Sequence, residues 1–187
     1  MSKYLNLLLC FTIVLFIYST TRCSFEITIF SSTLFSSLVY ASYIDLKKME
    51  IPDLVSIGLF PVGALWVART APDLLVQRLL EAIFALLLFF LFNYLFRLVR
   101  KKEGLGFGDI KLIASSTVWI GLVNVPVMIF VAACSGLIAS FYRFDKTVAT
   151  NADTRIPFGP HLAASIWFVW FLTLFDMPNF EIPGLFR

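Results

Sequence analysis

The centre of a very apolar run, residues 79–97, reads Leu86-Leu-Leu-Phe-Phe-Leu-Phe92. Such a block has no polar side chain to turn towards water, which is typical of a helix surrounded by lipid. The whole chain has a similar composition: of its 187 residues 59% are hydrophobic, only 14% are charged, and the mean hydropathy is +0.88. A soluble domain of this size cannot hide so much apolar surface, whereas a polytopic membrane protein exposes it to lipid. The sequence therefore predicts an all-α bundle of membrane helices.

Seven apolar runs are separated by polar links or by glycine and proline. Gly121, Asn124 and Pro126 divide the long run 110–142 into two short helices. The first run is preceded only by Lys3 and lacks a small-residue cleavage site, so we expect a retained helix; a cleaved signal would leave six. The predicted helices cover about 4–21, 25–44, 51–68, 79–97, 110–122, 126–142 and 161–175, with a polar link at Arg69–Gln77.

We predict one membrane-embedded domain over residues 1–187, with 1–24 as an extra N-terminal helix and 176–187 as an irregular tail. The three cysteines, Cys10, Cys23 and Cys134, form no CxxC pair, so we interpret them as packing residues. No metal or cofactor is expected. The net charge of +3 is small and does not suggest a nucleic-acid partner.

The distribution of charge predicts the orientation in the bilayer. Seven crossings place the N-terminus and residues 45–50, 98–109 and 143–160 on one side. That side carries eleven of the fifteen Lys and Arg residues, so the positive-inside rule assigns it to the cytoplasm, whether or not the first run is kept. Asp45 and Asp109 then lie on the cytoplasmic side, each at a membrane boundary.

The second of these acids follows a glycine-rich stretch, Gly104-Leu-Gly-Phe-Gly-Asp109-Ile-Lys111. Glycines allow a sharp turn and the close approach of another chain, and an acid at membrane depth is costly enough to be a functional candidate. Two facing carboxylates tend to share a proton, so one can activate water while the other protonates the attacked carbonyl oxygen. Taken singly, Asp109 is better explained as a helix N-cap and Asp45 as an ion-pair partner of Lys47 or Lys48. Together they predict a metal-free peptidase dyad.

Three motifs, in order over residues 45–163, resemble the type IV prepilin peptidase family. They read Asp45-Leu-Lys-Lys-Met-Glu-Ile-Pro-Asp53, Gly106-Phe-Gly-Asp109-Ile-Lys111 and Ile156-Pro-Phe-Gly-Pro160, the last followed by Leu162-Ala163. The resemblance implies a multi-pass inner-membrane aspartic peptidase that removes the basic leader of prepilins or pseudopilins at the cytoplasmic face. It assigns catalysis to Asp45 and Asp109. The residues that it implies shape the site or bind substrate are Gly106, Gly108, Lys111, Pro157, Phe158, Gly159 and Pro160.

Longer members of this family carry a cytoplasmic segment with paired CxxC motifs and also N-methylate the new pilin N-terminus. This sequence has neither the cysteine pairs nor room for that segment, so it is similar to the short, peptidase-only form that serves, for example, Flp pili. The resemblance places the catalytic acid before the Pro-Asp pair, which leaves Asp53 to cap or orient the third predicted helix. Lys111 is expected to tune the dyad, bind a carbonyl or anchor the positive side. His161 receives no role.

Two other interpretations stay open. One is an intramembrane peptidase of the presenilin or signal-peptide-peptidase kind, which has the same Gly-x-Gly-Asp chemistry and a different substrate. A Pro-Ala-Leu loop favours that group, and this chain has Pro157-Phe-Gly-Pro160 instead. The other is a transporter or structural subunit with intramembrane acids, although the apolar centres of runs 79–97 and 161–175 argue against a proton relay. Which prepilin is cut, and the oligomeric state, are not predicted.

Overall fold

The computed structural model describes residues 25–101, 104–144 and 157–175, together with Cys10, residues 12–14 and Ile17; the side chains of 141–144 and Phe175 are outside the description. The described part of the chain is helical, without strands. Two 3-10 turns, Pro72–Leu74 and Leu122–Asn124, join some of the helices. In chain order these are α1 (Phe25–Lys48), α2 (Asp53–Thr70), α3 (Leu75–Arg100), α4 (Phe107–Ile120), α5 (Val125–Phe144) and α6 (Gly159–Phe175).

The predicted all-α bundle is confirmed, and α1 to α6 correspond to the last six predicted helices. The predicted helix 4–21 lies mostly outside the described residues, as do the tail 176–187 and Ile156. The break within 110–142 is confirmed: Gly121 ends α4 with a φ of 80°, and a 3-10 turn leads into α5. Positive φ is open to glycine without steric cost, which explains why the helix stops there.

The polar link predicted at Arg69–Gln77 is wrong in extent. α2 continues to Thr70, and α3 begins at Leu75. The polar residues at the start of α3 satisfy one another within the helix, because Gln77 donates to Glu81 at 2.8 Å and Arg78 lies 3.4 Å from the same carboxylate. Pairs spaced by three or four residues stabilise a helix, so a polar segment need not be a loop.

Two further helix starts were predicted too late. α4 begins at Phe107, three residues before the predicted start, with Gly106 as its N-cap. α6 begins at Gly159, two residues before the predicted start, so the second half of the Pro157–Pro160 segment is helical. Proline is tolerated in the first turn of a helix because its missing N–H would have no intrahelical partner.

Four of the described helical segments are long and apolar enough to cross a membrane: Phe25–Lys48, Asp53–Thr70, Pro72–Arg100 and Leu122–Ser140. The apolar segment Gly159–Leu174 is shorter. In α3 only Ala82 and Ala85 are buried, and most of its leucine and phenylalanine side chains face outward, although Leu75 and Phe89 pack against the core. An apolar exterior of this kind suits lipid, and the molecule is a multi-pass membrane helix bundle.

An aromatic cluster joins four of the helices in the interior. It consists of Phe30 on α1, Trp66 on α2, Trp170 on α6 and Trp119 on α4. In that order, each ring centroid lies 5.2 to 5.5 Å from the next. The indole N–H of Trp119 donates to the carbonyl oxygen of Leu59 at 2.9 Å. The cluster joins the start of α1 to the last turns of α2, α4 and α6, so the end of α1 and the starts of the other three helices meet at the opposite end of the bundle.

Candidate active site

Asp45 lies in the last turn of α1 and is buried, with 6% of its surface exposed. One of its carboxylate oxygens, Oδ2, accepts the backbone N–H of Gly159 at 2.9 Å. This N–H belongs to the first turn of α6, where backbone donors lack partners in their own helix and the helix dipole favours negative charge. The predicted ion pair of Asp45 with Lys47 or Lys48 is not among the ion pairs of the described residues, and the Lys47 ammonium donates to the Tyr43 hydroxyl instead.

Only glycine fits at position 159. A Cβ atom built there would lie 2.7 Å from Oδ2 of Asp45 and 2.8 Å from its Cγ. Those distances are well inside van der Waals contact, so any side chain would displace the carboxylate or the start of α6. Gly159 was predicted to shape the site, and the structure places it directly against Asp45.

Asp109 is half-buried in the first turn of α4, three residues after the N-cap Gly106. Its carboxylate accepts the backbone N–H of Gly106, which is half of a capping box. The simple explanation of Asp109 as a feature of the helix start is therefore partly right, although the N-cap position itself belongs to Gly106. A helix-start carboxylate remains accessible from the end of the bundle where Asp45 also lies.

The charge of Asp45 acts on the carboxyl group of Asp109. Asp109 lies in a helix outside the four segments long enough to span a membrane. Burial raises its pKa, the neighbouring Asp45 raises it further, and the Gly106 N–H offsets part of the change, which brings the pKa to about 6. A like charge has this effect only at short range. The structure therefore brings together the two acids that lie 64 residues apart in the sequence.

Asp53 is engaged elsewhere. Its carboxylate lies 2.6 Å from the ammonium of Lys111, which also sits 4.6 Å from the centre of the Phe107 ring. The side chain of Asp53 is 65% exposed and that of Lys111 is 22% exposed. This pair ties the start of α2 to the first turns of α4, so Lys111 has a partner other than the dyad.

The three glycines before Asp109 serve close packing within the chain. A Cβ at Gly104 would lie 2.7 Å from the Phe96 ring, and one at Gly108 would lie 3.0 Å from Cβ of Ile51. At Gly106 the nearest atom is Oδ2 of Asp109, at 3.0 Å. Among the described residues Gly121 is the only glycine with positive φ, so this stretch does not use the sharp turn that glycine permits.

Two neighbouring residues were missed by sequence reasoning. His161 is buried, and its Nδ1 lies 3.1 Å from the hydroxyl oxygen of Ser135 on α5. The carbonyl oxygen of Phe158 accepts the N–H groups of His161 and Leu162, each at 3.0 Å, and so starts the hydrogen bonds of α6. His161 carried a signal as the sole histidine of the chain, whereas a serine in an apolar run carried none.

No group of three or more His, Cys, Asp and Glu side chains arranged to hold a metal ion is present within the described residues. A groove of about 370 Å³ between α1 and α2 contains neither Asp45 nor Asp109. Its walls include the hydroxyl groups of Thr33, Ser36, Ser37 and Tyr40.

Comparison with known proteins agrees with these motifs. The model of the type IV leader peptidase family matches residues 32–141, which contain both acids. The chain is 30% identical to a prepilin leader peptidase/N-methyltransferase of Aeromonas hydrophila, over 71% of this chain and 49% of that protein. The corresponding protein of Legionella pneumophila is also 30% identical, over 82% and 54%. Leader peptidase HopD of Escherichia coli is 32% identical, over 65% and 78%.

The chain spans about half the length of the Aeromonas and Legionella relatives. No solved structure gives a significant match.

Proposed function

The chain belongs to the type IV leader peptidase family, and on this basis we propose that it is a membrane aspartic endopeptidase that removes the leader of prepilins or pseudopilins. The observation that carries the proposal is the interaction of Asp45 with Asp109 at one end of the bundle, each held by a backbone N–H at a helix start. The relatives named as prepilin leader peptidases support the substrate class.

The proposed reaction needs one ionised and one protonated carboxyl group. The ionised carboxylate takes a proton from water as the water oxygen attacks the carbonyl carbon of the scissile bond. The protonated partner gives its proton to the carbonyl oxygen. The tetrahedral intermediate collapses when the carboxyl group that took the water proton gives it to the leaving nitrogen. The C–N bond then breaks, and the other carboxylate takes the proton of a hydroxyl group as the carbonyl re-forms, which restores one ionised and one protonated acid. Two coupled acids suit this exchange because repulsion between them keeps one proton on the pair.

We place the site at the cytoplasmic face of the bacterial inner membrane. The predicted excess of Lys and Arg on the side of Asp45 and Asp109 supports this orientation. The apolar helix of the prepilin then lies beside the helices of the enzyme, and its basic leader lies in the cytoplasm. A site at the boundary receives water without the cost of carrying it into lipid.

In this proposal the other predicted site residues position the two catalytic acids. Gly106 leaves room for the carboxylate of Asp109, and Gly108 lets the first turn of α4 lie against Ile51, so both glycines position Asp109 for the substrate. Lys111 orients α4 through Asp53, and the segment Pro157–Pro160 presents the Gly159 N–H to Asp45. The chain acts as one peptidase domain of the short type, for example on Flp-type pilins, without N-methyltransferase activity.

The test is cleavage of a co-expressed prepilin, read as a size shift on a gel with enzyme levels in the membrane checked. Asp45→Asn and Asp109→Asn are each expected to abolish cleavage, because the amide can neither activate water nor give up a proton. Asp53→Asn is the matched control: it alters a third acid at the same end of the bundle and should keep cleavage within about tenfold of wild type, the weakened ion pair with Lys111 being the only loss. Full activity of Asp45→Asn would overturn the assignment.

A further inference from the structure

His161 is buried two residues after Gly159, in the same helical turn that presents a backbone N–H to Asp45. Its Nδ1 lies 3.1 Å from the hydroxyl oxygen of Ser135, in the middle of α5. The imidazole ring packs beside Gly136 on α5, where a Cβ would make an ordinary contact with its Cδ2 at 3.8 Å. The first turn of α6 thus contacts α1 through Gly159 and α5 through His161.

We assign the direction of this hydrogen bond from the other contact of the serine hydroxyl. The Ser135 hydroxyl has one hydrogen, and the carbonyl oxygen of Ala132 in its own helix lies 3.0 Å away as an acceptor. When the hydroxyl donates to Ala132, its oxygen accepts the Nδ1–H of His161. The histidine is then neutral with its hydrogen on Nδ1, and α5 fixes the orientation of the ring.

From this chain of contacts we infer that His161 is a positioning residue for the aspartyl pair, acting through Ser135 on one side and Gly159 on the other. The inference rests on the proposed peptidase function. Asp45 is fixed by one described hydrogen bond from outside its own helix, so a shift of the α6 start moves that N–H away from the carboxylate. Even a small displacement of the carboxylate matters, because catalysis depends on its position to within a fraction of an ångström.

The alternative is that His161 merely fills the interior. A filling role and a positioning role differ in three ways. Positioning depends on the donor at Nδ1, acts on kcat rather than on KM, and requires Ser135 and His161 to act as one unit. The three differences define the variants. Asn places an amide nitrogen near the position of Nδ1, so His161→Asn keeps the donor, whereas His161→Leu removes it.

The first experiment measures prepilin cleavage by purified enzyme in detergent, per mole of folded protein. His161→Leu and Ser135→Ala are each expected to lower kcat by about tenfold with KM unchanged within about twofold. The kcat of His161→Asn should stay within about threefold of wild type. The kcat of the double variant Ser135→Ala/His161→Leu should be no lower than that of the less active single variant. Ser165→Ala is the matched control, because that buried hydroxyl on α6 donates only to Leu162 within its own helix.

The inference is overturned if His161→Leu and Ser135→Ala both keep kcat within twofold of wild type, if His161→Asn is as slow as His161→Leu, or if the two single effects multiply in the double variant.

A second measurement separates this inference from the proposed function. Hydrogen exchange of the Gly159 amide, followed without substrate, reports whether its bond to Asp45 persists. Ser135→Ala and His161→Leu should speed that exchange by about tenfold, and Ser165→Ala should not. If wild type cleaves no prepilin while this pattern holds, the peptidase assignment fails and the structural linkage stands. Unchanged exchange in both variants overturns the linkage itself.

Discussion

Asp45 and Asp109 are held in different ways, although both are carboxylates at a helix end. Asp45 accepts an N–H from another helix, whereas Asp109 accepts one from the start of its own helix. The position of Asp45 therefore depends on how α1 packs on α6, and the position of Asp109 depends mainly on α4 itself. Substitutions that disturb the contact between α1 and α6 should therefore displace Asp45 more than Asp109.

Gly159→Ala is expected to lower prepilin cleavage by about a hundredfold, because the new methyl group would sit 2.7 Å from Oδ2 of Asp45 and push the carboxylate away. Gly58→Ala is the control, since a Cβ at that helical position meets no atom within 4 Å. Gel cleavage assays at equal membrane levels give the comparison. Equal activity of the two alanine variants would contradict the contact between Gly159 and Asp45.

Asp109→Asn should stabilise the protein at pH 7.5 and have little effect at pH 4. Burial and the neighbouring Asp45 raise the pKa of Asp109 from 3.8 to about 6, so the folded state binds its proton more tightly than the unfolded state does. Stability from this group is fully present below about pH 4 and is lost as the pH rises through about 6, a loss on the order of 3 kcal/mol. The amide cannot ionise and avoids the loss.

Thermal unfolding in detergent at both pH values tests this expectation. Asp73→Asn, which changes an exposed acid in the turn before α3, serves as the control. A melting temperature of Asp109→Asn at or below that of wild type at pH 7.5 would show that ionisation of Asp109 does not destabilise the folded state.

At the scale of the helices, the sequence predicts well which segments are helical and predicts less well where each helix begins and ends. Gly121, Asn124 and Pro126 mark the end of one helix and the start of the next, because their backbone preferences act locally. The start of α3 was missed because Gln77, Arg78 and Glu81 look like loop residues until their mutual contacts are known. The start of α6 was missed because Pro160 looks like a helix breaker, yet it occupies a position where proline costs nothing.

Gly121→Ala should destabilise the turn between α4 and α5 by about 2 kcal/mol or more. The residue has a φ of 80°, and a Cβ there would lie 1.5 Å from the Arg78 guanidinium. That guanidinium belongs to a small network in which Glu81 also accepts the N–H of Leu122 at 3.0 Å. Thermal unfolding in detergent measures the loss, with Gly58→Ala as the glycine-to-alanine control in open space. Equal melting temperatures for the two variants would contradict it.

For the whole molecule, the two acids were predictable because each sits at a recognisable helix end and the charge pattern places both ends on one side. Their immediate partners were not. The bond from Gly159 to Asp45 joins residues 114 positions apart, and the contact of His161 with Ser135 joins two helices whose rotation no local pattern encodes. Helical periodicity was of little help, because lipid-facing and buried positions in such a bundle are both apolar.

The aromatic cluster constrains those rotations, and within it Trp119 connects α4 to α1, α2 and α6. Its ring contacts Phe30 and Trp170, its N–H bonds the Leu59 carbonyl, and Gly63 leaves the space that it fills. Trp119→Ala should therefore cost about 3 kcal/mol or more through the cavity and the lost hydrogen bond. Trp119→Phe keeps most of the volume and should fall between this variant and wild type.

Because the cluster joins α1 to α4, the damage should reach the dyad as well: cleavage per folded molecule should fall in Trp119→Ala even below its melting temperature. Phe84→Ala is the matched control, since that ring is 54% exposed on the outer face of α3 and its loss removes contact with lipid only. Melting temperature and cleavage rate are measured for all three variants. If Trp119→Ala matches Phe84→Ala in both, the cluster does not hold the four helices in register, and the closeness of Asp45 and Asp109 must have another cause.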